Sequence, residues 1–298
     1  MYRIAHVTDA HVSTVAPSSR KDDYFRAVIS KLDWASTYGN ATGVKLWLDS
    51  GDLFDRAVQT MEELNALYEV LVKREAKTLA IVGNHPIKGN AELWRPHSGI
   101  YILEKMLGPD RFEILDPFKA TVEVGGHKIR LHHIDLLRRP AIWKHVLWKD
   151  YDPEGATIVL CSHFHPRQGI ARCRGVYFAS SGALSRGTLA EDNLRRKPSF
   201  FLIDIGKGGD VDFKRVVVPH RPASEVFNEK AILTIQDVIR DDDALRECVH
   251  TLREMERAGE ATVSIYDLLK IVRGGYQVSD QAFELAMERL KVVAERHV

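Results

Sequence analysis

The stretch VKLWLDSGDLFD, residues 44–55, decides how the rest of the chain is read. An apolar run with the residue types of a buried strand ends in a glycine and a carboxylate. The same arrangement recurs along the chain. The apolar run at 4–8 precedes Asp9-Ala10-His11, that at 79–82 precedes Gly83-Asn84-His85, and that at 157–161 precedes His163-Phe164-His165. Between the first three runs, Phe25, Val28, Ile29, Leu32 and Ala35 trace one helical face, and Leu64, Leu67, Tyr68 and Leu71 trace another. This alternation predicts a β-α-β-α-β start and a parallel sheet. Strands side by side in one sheet carry the residues at their C-terminal ends to a single rim, so these scattered groups are expected to converge on one site.

The residue types specify the chemistry. Asp, Asn and His offer oxygen and imidazole nitrogen donors and no thiolate, a set suited to Mn²⁺, Fe²⁺, Zn²⁺ or Ni²⁺ in a reactive site rather than to a structural zinc finger. The candidates exceed what one ion needs. Two ions roughly 3.5–4 Å apart, bridged by a carboxylate, would use them all.

The order D-x-H, GDLFD, GNH, H-x-H resembles that of the calcineurin-like metallophosphoesterases. Within them it is most similar to the nuclease branch of SbcD and Mre11 type, for which GDLFD at 51–55 and VYFASSGALSRG at 176–187 are typical. The resemblance covers roughly residues 1–219. It implies that Asp9, His11 and His165 hold a first metal, that Asp52 bridges, and that Asn84 and His163 hold the second. It leaves His85 off the metals, acting on the phosphate or the leaving oxygen. The implied cofactor is a pair of divalent ions, Mn²⁺ before Fe²⁺, Zn²⁺ or Ni²⁺. Three departures stand out. Pro86 follows the GNH histidine where the family has an acidic residue, so support for His85 must come from elsewhere. Ser162 replaces the glycine before H-x-H. One further family histidine has several candidates: His132 or His133 at the end of the strand at 128–131, His145, or His163 itself if two family strands have merged. The reading adopted takes His133. Asp55 either orients a histidine ligand or caps the following helix. His6 and His127 read as a sheet histidine and a hairpin-turn residue.

The second half turns to strands. Runs at 120–124 and 128–132 flank Gly125-Gly126, a hairpin signal, and runs at 176–179, 199–205 and 211–217 follow. Together these predict an α/β fold, a metallophosphoesterase-type two-sheet sandwich flanked by helices. Pro219 and Pro222 mark a boundary. Residues 1–219 form the expected catalytic domain, and 220–298 a helical capping or docking region with Phe283, Ala286, Leu290 and Val293 on one face.

At 298 residues and 45% hydrophobic, the chain has enough apolar content for a large domain with a small appendage. No apolar run reaches membrane-spanning length, and the three cysteines lack paired spacing, so a reducing cytoplasmic setting without a membrane is expected. Net charge is only +1, but from Glu225 onward ten Lys/Arg face fifteen Asp/Glu. Basic residues gather after the H-x-H pair: Arg167, Arg172, Arg174, Arg186, Arg195, Arg196 and Lys197. Of these, Arg172, Arg174 and Arg186 are taken as contacts to a phosphate backbone.

The expected function is a two-metal phosphodiesterase acting on DNA, a nuclease subunit in which a metal-bridging hydroxide attacks phosphorus in line. The expected partners are DNA, an SMC/Rad50-like ATPase subunit and a second copy of the chain. The alternatives are a phosphatase or phosphodiesterase for a small molecule and a non-catalytic scaffold that keeps the fold.

Overall fold

The computed structural model describes residues 1–86, 98–116, 120–134, 136–137, 146–187 and 191–228. The chain divides after Asn228, and the described residues all belong to the unit Met1–Asn228. The helical region expected from residue 220 on therefore lies, past Asn228, outside the described residues, together with His145.

The first sheet has six strands. In sequence they are β1 (Tyr2–Val7), β2 (Leu46–Asp49), β3 (Thr78–Ala80), β4 (Phe112–Ile114), β12 (Ser199–Ile205) and β13 (Val211–Val217), in the spatial order β13-β12-β1-β2-β3-β4. The four strands from β1 to β4 run parallel, and β12 is antiparallel to β1. The second sheet holds β5 (Thr121–Val124), β6 (His127–Ile134), β9 (Ile158–His163), β10 (Gly169–Cys173) and β11 (Val176–Ser180), in the order β10-β11-β9-β6-β5. Here β6, β9 and β11 run parallel. The short strands β7 (Leu136–Leu137) and β8 (Val146–Leu147) pair separately.

Period-two alternation explains the layers. Along β12, Phe200 and Leu202 join a core with Trp47, Leu32 and Leu67 on the helical side of the first sheet. Phe201, Ile203 and Ile205 point the other way and pack with Leu48, Leu131 and Leu160 between the two sheets. A third cluster of Leu136, Trp148, Tyr151 and Phe178 covers the second sheet's outer face. Each such buried side chain contributes about 1.5–3 kcal/mol.

The helices are α1 (Tyr24–Ala41), α2 (Met61–Val72) and α3 (Gly99–Leu107), with short turns α4 (Glu191–Arg195) and α5 (Ala223–Val226). Val28, Leu32 and Ala35 of α1 and Leu64, Leu67 and Leu71 of α2 are buried, as their spacing predicts. Asp23 caps α1 by accepting from the Arg26 N–H. Thr60 and Glu63 form a capping box at α2, which settles that Asp55 is not that helix's cap. Glu63 also accepts from the Thr14 N–H at 2.6 Å, tying α2 to the loop that carries His11. No helix among the described residues is long and apolar enough to cross a membrane.

Candidate metal centre

The C-terminal ends of parallel strands from both sheets meet at one edge. A single sheet does not deliver the site, as the sequence suggested: Asp9, His11, Asp52, Asn84 and His85 follow β1, β2 and β3 of the first sheet, whereas His133, His163 and His165 come from β6 and β9 of the second. The first two loops are zipped together by backbone bonds, Asp9 N–H to Gly51 O at 3.0 Å and His11 N–H to Asp52 O at 2.9 Å. Asp9, His11, Asp52 and His163 all have left-handed backbone, with φ of 49°, 50°, 53° and 74°. Such conformations cost on the order of 1–3 kcal/mol each and cluster at functional sites. Gly83 is required for a different reason: a Cβ there would lie 2.0 Å from Asp52 Oδ1.

Three groups of candidate ligand atoms overlap: Asp9, His11 and His165; His11, Asp52 and His85; and Asp52, His133 and His163. Asn84 joins the third, its Oδ1 lying 2.9 Å from His133 Nε2. The structure thus chooses among the histidines left open by the sequence. His133 faces the site, while His132, one residue earlier in β6, points away to the Tyr151 hydroxyl.

The donor atoms fit cations. The ring of His133 donates through Nδ1, which lies 2.9 Å from the Ser50 carbonyl, an atom that can only accept. Its Nε2 then turns towards Asp52 Oδ2, 3.0 Å away, and Asn84 Oδ1. Asp52 Oδ2 is buried without a hydrogen-bond partner. In the first group, Nε2 of His11 and Nε2 of His165 face each other at 3.0 Å. Nitrogen and oxygen lone pairs converging this closely are the arrangement a divalent ion satisfies.

Electrostatics point the same way. Burial, helped by the His11 and Arg196 charges, drives the His165 pKa down to about 3, keeping its imidazole neutral as a ligand must be. Burial alone would raise the Asp52 carboxyl, but the surrounding imidazoles of His133 and His11 and the His85 backbone N–H outweigh it and hold Asp52 below its ordinary range. The fully buried Asp9 is raised, by burial above all.

Asp55 is the residue whose role the sequence left undecided. Its Oδ1 accepts from His11 Nδ1 at 3.0 Å and lies 3.4 Å from His85 Nδ1, while its backbone oxygen accepts from His85 Nδ1 at 2.9 Å. Asp55 supplies the support that Pro86 cannot. Ser162, the other departure, is absorbed equally well: its Oγ sits 2.8 Å from His133 Nδ1. Carboxylates behind ligating histidines typically govern metal affinity by 10–100-fold. Asp55→Ala is therefore expected to weaken Mn²⁺ binding by about that factor, read by calorimetric titration, with Asp55→Asn losing less. A titration of Asp55→Ala matching the unchanged protein would remove Asp55 from this role.

The arginines require correction. Arg186 is only 3% exposed, and its guanidinium donates to the Arg221 carbonyl, so it is a buried structural group rather than a substrate contact. Arg172 and Arg174 are exposed but flank the β10–β11 turn, where Cys173 pairs with Val176. That turn is at the opposite end of the sheet from the ligands, because Gly169 and Ser180 occupy the rim end. Arg196 is 7% exposed and clamps the backbone, donating to the carbonyls of His165 at 2.9 Å and Ala183 at 2.7 Å. Exposed basic residues near the rim include Arg167, two positions after His165, and Arg195 and Lys197 on either side of the Arg196 clamp. Arg215 joins them by donating to the Lys197 carbonyl at 2.8 Å.

Comparison with protein families matches residues 2–198 to the calcineurin-like phosphoesterases. The chain belongs to that family. Among solved structures it is similar to Vacuolar Protein Sorting 29 from Cryptosporidium parvum, at 14% identity and a TM-score of 0.35, covering 72% of this chain and 98% of that one. Vps29 from Chaetomium thermophilum is similar at 12% identity and a TM-score of 0.37, covering 74% and 100%. A search of curated proteins gave no match.

Proposed function

We propose that this phosphoesterase is a two-metal phosphodiesterase acting on DNA, of the nuclease type that GDLFD and VYFASSGALSRG resemble. The observation that carries the two-metal reading is the overlap of the three ligand groups through His11 and Asp52. Asp9, His11 and His165 would hold one ion and Asn84, His133 and His163 the other, with Asp52 shared. When bound, such ions neutralise charge building on a phosphoryl group and acidify water at the site. The chain's own part is to fix the donors, exclude alternatives and manage one proton. His85, its Nδ1 anchored on Asp55, presents Nε2 at the more open side of the cluster, where it meets the substrate phosphate. The hydrogen bond to Asp55, working against burial, raises the His85 pKa to about 9, a shift in the direction a proton donor needs.

DNA as substrate is supported by the motif resemblance and by the basic rim of Arg167, Lys197 and Arg215. Mn²⁺-dependent digestion of linear DNA, abolished by EDTA, tests the reading. Changing Arg167 and Lys197 to Ala should cut DNA cleavage and flatten its salt dependence, because each cation withdrawn from a phosphate lowers the logarithmic salt slope by about one. Hydrolysis of bis-p-nitrophenyl phosphate should hardly change. Equal loss on both substrates would favour a small-molecule phosphodiesterase. In the same experiment Arg172→Ala and Arg174→Ala should behave as the unchanged protein.

A further inference from the structure

His6 of β1 belongs to none of the three ligand groups, yet it is completely buried. It stands two residues after Ile4, so it shares the face of β1 that looks into the core between the sheets. A histidine is costly there, because its Nδ1 has no hydrogen-bond partner. Its Nε2 does have one, the Ser50 hydroxyl, 2.6 Å away. Burial drives the His6 pKa down to about 3, so the ring is neutral. What it offers Ser50 is a hydrogen bond, not a charge.

Ser50 links this ring to the metal centre. It follows β2 directly and is itself completely buried. Its N–H donates to the Val7 carbonyl at 3.2 Å and its hydroxyl is tied to His6, so its own carbonyl is held in one direction. That carbonyl lies 2.9 Å from His133 Nδ1 and 2.5 Å from the Ser162 hydroxyl. A carbonyl oxygen only accepts, so both neighbours donate to it. The His132 carbonyl, 3.3 Å from Ser162 Oγ, is the poorer acceptor for the same proton. With its proton directed at Ser50, Ser162 Oγ can accept in turn from His133 Nδ1, 2.8 Å away. The Nδ1 proton of His133 is thus shared by two oxygens, and Nε2 is the nitrogen left to face Asp52 and Asn84. His11 is fixed by a different group, the Asp55 carboxylate at its Nδ1. The two imidazoles have separate supports.

We propose that His6 and Ser162 are positioning residues for the second metal ion, holding His133 through the Ser50 carbonyl with its proton on Nδ1 and its Nε2 towards the ion. The assignment rests on the two-metal reading. It gives Ser162 a task that the family's glycine at that place cannot perform, and it gives the buried His6 one that an apolar residue cannot. Removing either side chain leaves every ligand in place and loosens one ring. Groups behind a ligating histidine typically govern metal affinity by about 10–100-fold, and here the effect falls on one ion only.

Mn²⁺ titration of the full-length protein, followed by calorimetry and by the paramagnetic resonance signal of free Mn²⁺, tests this. The unchanged protein should take up two ions. In Ser162→Ala and in His6→Leu, affinity for one ion should fall by about 10–100-fold while affinity for the other holds, which also shows that the variant is folded. His6→Gln, whose side-chain amide can take the place of Nε2 towards Ser50, should bind both ions nearly as the unchanged protein does. Combining Asp55→Ala with Ser162→Ala should weaken both ions, because each histidine then loses its own support. A single ion in the unchanged protein would refute the two-metal reading and this assignment with it. Two ions there would leave that reading standing. The assignment alone would then be overturned by unaltered binding in Ser162→Ala, by equal weakening of both ions in Ser162→Ala, or by a His6→Gln no better than His6→Leu.

Discussion

Asp52→Asn should empty both metal sites at once. The carboxylate is 1% exposed and its two oxygens serve different sides of the cluster. Oδ1 accepts from the His85 backbone N–H at 2.9 Å, and Oδ2 lies 3.0 Å from His133 Nε2. An asparagine keeps one acceptor oxygen, replaces the other with a donor, and removes the negative charge that attracts a cation on both sides. The ligand groups on either side both lose their shared member. Elemental analysis should fall from two Mn²⁺ per chain towards none, and hydrolysis of a small phosphodiester should drop by more than about 100-fold, beyond the range for residues behind a ligand. The fold should survive, because Asp52 packs at a strand end and not in the apolar clusters. Normal metal content in Asp52→Asn would refute the bridging role.

Much of this site was legible because its chemistry restricts residue type at strand ends. The four groups after the runs at 4–8, 44–48, 79–82 and 157–161 do converge, and β12 and β13 have the bounds of the runs at 199–205 and 211–217. What stayed hidden depends on register. Adjacent strand residues face opposite sides, so His132 and His133 are equivalent in sequence. Only the pairing of β6 with β9, which sets His133 against Ser162 and Ile134 against His163, decides which ring enters the site. The basic stretch misled for a related reason. Residues 169–173 form β10, antiparallel to β11, and so carry Arg172 away from the rim instead of along it. Arg186 and Arg196 were indistinguishable from surface arginines because their acceptors are backbone carbonyls, which leave no mark on composition. Strands such as β4, only three residues long, are too short to show a period. Asp55 had a usable signal in the second acid of GDLFD, but separating a histidine anchor from a helix cap required seeing Thr60 take the cap.

His85→Ala separates proton donation from metal binding. The bond from its backbone N–H to Asp52 Oδ1 survives the substitution, so the bridging carboxylate keeps its position. The side chain itself is 38% exposed, against 4% for His11 and 8% for His133, and its Nε2 stands 4.0 Å from Asp52 Oδ2. That is the placement of a group facing substrate rather than one closed around an ion. Metal content should therefore remain near two per chain, while DNA cleavage falls on the order of 10²–10⁴-fold, the usual range for a lost general acid. The leaving group gives a sharper reading. A deoxyribose oxygen needs a proton as it departs, whereas p-nitrophenolate is stable without one. His85→Ala should thus damage DNA cleavage far more than hydrolysis of bis-p-nitrophenyl phosphate. Equal losses on both would shift His85 to stabilising the phosphoryl oxygens. Loss of metal together with activity would make it a ligand, completing the group it forms with His11 and Asp52.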